Sequence, residues 1–217
     1  MSRFAPLVRL SHRRLGELLG MRIARLYGIG IAASYGIAIA LVPGDTRAET
    51  APALLGRALA SASWVVAGLS GLSLARDLAL RDRGEGIEML AALRGHDARR
   101  LELARGIAGA LRIAIWLAAP IAAIALFTAA LSGTARGVLL GASFTGFALV
   151  YSALLGATIA ALSRAGAGLS PRRGRLVFAA IVLLPHAARV VSPETPSVPA
   201  AFAWLIERGT ALSGALG

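Results

Sequence analysis

Apolar and polar positions follow one another along this chain in long blocks rather than singly. Four stretches carry no formal charge: Leu26–Val42, Ala58–Ala75, Ile113–Ala135 and Gly137–Ser163. A bilayer core takes roughly 20 apolar residues as helix, so each stretch predicts a membrane span. A fifth, Leu176–Ser192, is interrupted only by Arg189, near enough to one end for its side chain to reach the headgroups. Gly137–Ser163 is long for one helix but too short for two spans and a turn. It predicts a single tilted helix, with Gly141, Gly146 and Gly156 at close helix contacts. The expected fold class is all-α, a polytopic helix bundle of about five spans forming one domain over residues 1–217.

Both ends of the chain predict helices lying along the membrane rather than through it. In residues 1–25, Val8, Leu15, Leu18, Leu19 and Ile23 share one helical face, while Arg9, Arg13, Arg14 and Glu17 lie mostly on the other. The Arg13-Arg14 pair ahead of an apolar run is superficially like a twin-arginine export signal, but four further spans follow it. In residues 199–217 the apolar stretch around Phe202–Ile206 ends at Glu207 and Arg208. That predicts an interfacial helix on the outer face, with Trp204 among the headgroups.

Composition sharpens this picture mainly by exclusion. Charged residues make up 16% of the chain, against about 25% in ordinary soluble domains. Every basic residue is Arg, and Lys, Cys, Asn and Gln are absent. Lysine Schiff bases, a P-loop lysine, thiol catalysis, disulfides and Cys-ligated zinc are thereby excluded, so no Walker A loop binds ATP here. A net charge of +12 would suggest nucleic acid in a soluble protein. Here the arginines gather in residues 1–25, 76–105 and 164–175, between the spans. The positive-inside rule then predicts a multi-pass protein of the bacterial cytoplasmic membrane with those segments and the N-terminus in the cytoplasm, lipid as partner, and no nucleic acid.

The most polar of these segments is the loop Arg76–Arg105. Ile87, Leu90, Ala91 and Leu93 recur at helical spacing, Glu85 and Glu88 fall in the first turn, Gly95 is a helix stop and Asp97 an N-cap for the next helix. The pattern predicts a short helix across the cytoplasmic mouth, placed to dock a partner. The plainer alternative is a solvated loop whose acids balance nearby arginines.

Residues Leu55–Leu93 carry a resemblance. Arg57, Trp64-Val65, the Leu72-Ser73-Leu74-Ala75-Arg76 end of the second span, then Glu85-Gly86 and Glu88-Met89-Leu90 are similar to the membrane subunits of type-2 ABC exporters. Within that family the stretch most resembles the haem-exporter permease of cytochrome c biogenesis. The likeness extends more loosely through Leu101–Leu111 and the N-terminal helix. It implies a permease that pairs with an identical or paralogous permease and binds a separate ATPase subunit, which carries the ATP and Mg; no cofactor is expected on this chain. Carried over, Glu85, Gly86, Glu88 and Leu90 belong to the ATPase-docking helix, and Ile87 and Leu93 complete its face. The chain departs from the family in having five expected spans rather than six, and in Arg94-Gly95-His96 where Ser-Pro often ends the coupling helix.

Other chemistry has weaker support. Gly68-Leu69-Ser70-Gly71 matches a rhomboid-type serine motif with His186 as the conceivable base, but the topology sets Ser70 and His186 toward opposite faces. Arg112, at the entry to the third span, is either a substrate-path charge or the last cytoplasmic anchor. His186 and Arg189, one turn apart, are either an anion-greeting pair at the outer mouth or an interfacial pair. No cluster has metal-ligand spacing. The reading is a transporter subunit and not an enzyme, with a non-transporting membrane scaffold as the alternative.

Overall fold

The computed structural model describes residues 4–44, 46–165 and 170–216, and among them every regular element is helical. The elements are α1 (Ala5–Glu17), α2 (Leu19–Leu41), α3 (Arg47–Leu72), α4 (Leu78–Gly84), α5 (Ile87–Leu93), α6 (Ala98–Ser132), α7 (Ala135–Ser163), α8 (Pro171–Ala188) and α9 (Val198–Leu216). A π-helical turn, Ser73–Asp77, joins α3 to α4 without a break. Among the described residues four helices are long and apolar enough to cross a membrane: Leu19–Leu41, Arg47–Gly84, Ala98–Ser132 and Ala135–Ser163. The chain is an all-α, multi-pass membrane protein.

The boundaries differ from the expected ones wherever a charge marks the expected helix end. The interfacial helix stops at Glu17, because Leu18 adopts an extended conformation (φ −69°, ψ 135°), and residues 19–25 already belong to the first span. The second span does not end at Ala75. It continues through Arg76 to Gly84, about 57 Å at 1.5 Å per residue, and overshoots a roughly 30 Å hydrocarbon core. Likewise α6 begins at Ala98, capped by the Asp97 side chain accepting from the Arg99 amide at 3.1 Å. Residues 76–105 are therefore mostly two projecting helix ends with α5 between them.

Helix packing uses small residues, since lipid is as apolar as the helix surfaces and only close contact distinguishes them. α6 and α7 are antiparallel neighbours joined by the two-residue turn Gly133-Thr134. A Cβ on Gly141 would stand 2.7 Å from the Ala125 carbonyl oxygen, and one on Gly156 2.5 Å from that of Ala110. Gly146 meets nothing within 4 Å, so only two of the three expected glycines pack. The main core lies between α2, α3, α6 and α7 around Leu55, Leu59, Leu117, Ile121 and Phe144, all fully buried.

The C-terminal third departs most from expectation. α8 starts with Arg172, Arg173 and Arg175 and contains Pro185, and it is not among the four helices apolar enough to span. α9, expected as an interfacial helix, packs against the bundle. It runs along α3 and α7, with Phe202 edge-on to Tyr151 at 5.5 Å, Thr210 over Gly56 and Gly214 beside Pro52. Ile206 joins the main core, while Trp204 remains exposed. Phe202, Ile206, Thr210 and Gly214 thus make one packed face of α9, and Glu207 and Arg208 are exposed.

Candidate functional site

The Arg-rich segments meet at one end of the bundle, where α1, α4, α5 and the start of α6 converge. α1 buries Leu7, Ser11, Arg14 and Leu15, spaced so that they form one helical stripe. Arg14 thus turns inward instead of joining Arg9 and Arg13 on the exposed face. On α4, Asp82 follows Leu78 by one turn and shares its buried face, at 2% exposure.

Asp82 receives one arginine on each carboxylate oxygen. Arg14 Nε donates to Oδ1 at 2.7 Å, and Arg105 Nε donates to Oδ2 at 2.8 Å. Arg14 and Arg105 are themselves buried, at 8% and 6% exposure. One further nitrogen of each reaches an acid at the start of α5, Glu85 just before the helix or Glu88 in its first turn. Arg14 Nη1 donates to Glu85 at 2.7 Å, and Arg105 Nη2 to Glu88 at 3.3 Å; Arg105 also pairs with Glu102. Arg81 closes the outer edge by pairing with Glu85 at 2.8 Å and Glu17 at 2.6 Å. Hydrogen bonds from Arg81, and then from Arg14, hold the Glu85 carboxyl below the usual carboxylate range. Guanidinium charges removed from water need such pairing to be stable, and only Arg14 Nη2 of the two groups is buried without a hydrogen-bond partner.

This clasp fixes how α5 is presented. Gly86 precedes the helix at φ +67°, a left-handed conformation that only glycine adopts without strain. Glu88 lies in the first turn as expected, whereas Glu85 lies before the helix, in the turn that ends α4. Ala91 is buried against Leu7, Leu101 and Ala104. Met89, Leu90 and Leu93 point outward at 68%, 50% and 73% exposure, and Ile87 is half-buried. The expected face of Ile87, Leu90, Ala91 and Leu93 is thus split: Ala91 faces the bundle, and Met89 takes its place outside. Asp82, Arg14 and Arg105 were not among the expected site residues. Asp82 has one sequence signal, its place one helical turn after Leu78.

The remaining candidates are scattered. Arg112 lies in α6, its Nη2 3.2 Å from His12 Nδ1 and its guanidinium 4.7 Å from the Trp116 ring. Arg189 Nη1 donates to the Thr195 carbonyl at 3.0 Å and closes the turn between α8 and α9. His186 belongs to α8, and its side chain lies outside the described residues. Ser70 is fully buried with no hydrogen-bond partner on Oγ, and the neighbouring Gly71 is covered by the Phe178 ring. That contact is helix packing on small residues. An apolar cavity of about 200 Å³ lies between α3, α7, α8 and α9, walled by Trp64, Tyr151, Phe178, Val182 and Phe202. Among the described residues no group of three or more His, Asp or Glu could hold a metal. Comparison with family models, curated proteins and solved structures finds no match for this chain.

Proposed function

We propose that this chain is the permease subunit of an ABC exporter, with α5 as the helix that docks a separate ATPase subunit. One observation carries the reading: α5 exposes Met89, Leu90 and Leu93 while the ion pairs behind it tie Glu85 and Glu88 to α1 and α6. A solvated loop would have no reason to display three large apolar side chains. A docking helix needs both the apolar face and a rigid base, so that displacement of the ATPase is passed to the spans rather than absorbed locally. Here the base is Asp82 with two arginines, one from α1 and one from α6. ATP and Mg belong to the partner, and the Arg-rich end faces the cytoplasm where ATP is present. The spans pair with a second permease, identical or paralogous, and substrate moves through the cavity between them.

The test is co-purification of a separate ABC ATPase subunit, co-expressed with the full-length chain. Leu90→Asp removes the burial of one leucine, about 1.5–3 kcal/mol, so association weakens by roughly one to two decades. Membrane insertion is unaffected because α5 lies outside the spans, and Arg99→Gln, on the exposed start of α6, serves as the control. Undiminished recovery of the ATPase with Leu90→Asp would remove the docking assignment.

A further inference from the structure

Arg112 and Arg25 form a second cationic centre, separate from the clasp and unlike it in lacking acids. Among the described residues neither is in an ion pair. Glu17, the acid nearest in sequence to this corner, is held by Arg81 at 2.6 Å. Arg25 lines the same groove as Trp116, the ring that the Arg112 guanidinium covers. Arg112 has not escaped toward water as an interfacial arginine ordinarily does. Its guanidinium packs over Gly16, where any side chain would collide with it, and over the Trp116 ring, while Nε is buried without a hydrogen-bond partner. His12 beside it offers no negative charge. Burial, then the charge of Arg112, lowers its pKa.

Directly below this corner, α2 and α6 run parallel and leave a groove of about 560 Å³. Arg25 stands at its mouth, and Ile29, Ala32, Trp116, Pro120 and Ile124 make an apolar wall. The groove follows α6 from Trp116 to Ile124, about 12 Å of helix and close to the depth of one leaflet of a roughly 30 Å core. An uncompensated pair of charges above an apolar trough calls for a ligand with an anionic head and an apolar tail. Arginine's fork of donors suits a phosphate, and the ring of Trp116 holds one arginine in place for it.

We infer that the α2–α6 groove is a binding site for one anionic phospholipid of the surrounding bilayer, its phosphate on Arg25 and Arg112 and an acyl chain along Ala32 and Pro120. The inference depends on the membrane reading alone and is independent of the ATPase partner.

The test is native mass spectrometry of the full-length chain released from nanodiscs containing dioleoyl phosphatidylglycerol or dioleoyl phosphatidylcholine. Phosphatidylglycerol should be retained preferentially. Retention should fall roughly fivefold with each of Arg25→Gln and Arg112→Gln, the worth of one arginine near a charged surface. Because Arg112 is partly buried, Ala33→Trp is the second variant: it fills the exposed groove with both charges in place and should also expel the lipid. Arg9→Gln, on the exposed face of α1, should leave retention unchanged. Equal retention of the two lipids, an equal loss with Arg9→Gln, or retention undiminished by both Arg25→Gln and Ala33→Trp would overturn the site. So would displacement of the lipid by millimolar inorganic phosphate, which would make the corner a free-anion site.

Discussion

Arg14 and Asp82 are 68 residues apart in sequence and 2.7 Å apart in space, both almost fully removed from solvent. Their bond ties the N-terminal helix to the overshooting end of the second span. Arg105 completes it from the third span, so three separate elements share one carboxylate.

Neutralising that carboxylate should be costly. Asp82→Asn keeps the shape but leaves two buried guanidinium groups facing an amide, and breaking a buried ion pair costs about 3–5 kcal/mol. Denaturant or thermal unfolding in detergent should register a loss of that size. An Arg14→Met and Asp82→Asn double variant that loses as much as the two singles summed would show that the bond carries no coupling.

Acid should loosen the outer edge of the clasp before neutral pH affects it. The Glu85 carboxyl is held below its ordinary value of 4.5 by Arg81 and Arg14. A lowered folded-state value makes its contribution complete above about pH 4.5 and lost as pH falls through the lowered value. Protease sensitivity of the α4–α5 junction should therefore be flat from pH 7 to about 5 and rise below about 4.5. Glu85→Gln should raise it at all pH values and flatten that rise.

Gly86→Ala should detach the presentation of α5 without altering its exposed face. A Cβ at φ +67° costs roughly 1–2 kcal/mol, and open space around the residue gives no steric compensation or penalty. Amide exchange in Ile87–Leu93 should accelerate, while exchange in α6 beyond Ala108 stays unchanged.

The two glycine environments on α7 give opposed expectations. Gly156→Ala drives a methyl group against the Ala110 backbone, which cannot rotate away, and should cost about 1–3 kcal/mol. Gly146→Ala meets nothing within 4 Å, and it should be neutral or stabilise by up to about 1 kcal/mol. Thermal stability in one detergent compares the two directly.

The placement of α9 is open to a crosslink. A Cβ on Gly56 would stand 3.5 Å from that of Thr210, the separation a disulfide needs. In this cysteine-free chain, Gly56→Cys with Thr210→Cys should oxidise to an intramolecular bridge. A helix lying flat on the membrane surface would leave both thiols free to alkylation.

Much of the architecture is written locally. Uncharged blocks name the helices that cross, and clustering of arginine names which segments share an end, because the cost of burying charge in lipid acts on each residue where it stands. Gly95 and Asp97 mark the stop and start around the α5–α6 junction for the same reason: a left-handed residue and a capping carboxylate act on their own backbone neighbours. Tertiary structure alone decides the rest. Arg14 looks like its neighbours Arg9 and Arg13 until Asp82 arrives from α4, 68 residues on, to make its burial favourable. Ala91 faces inward because Leu7 and Leu101 pack on it, while Leu90 and Leu93 of the same expected face stay outside. α9 inserts because Gly56, Pro52 and the Phe147–Tyr151 edge offer a seat that no stretch of its own sequence describes. Charge pairing and close packing are properties of two surfaces at once, so neither can be read from one of them.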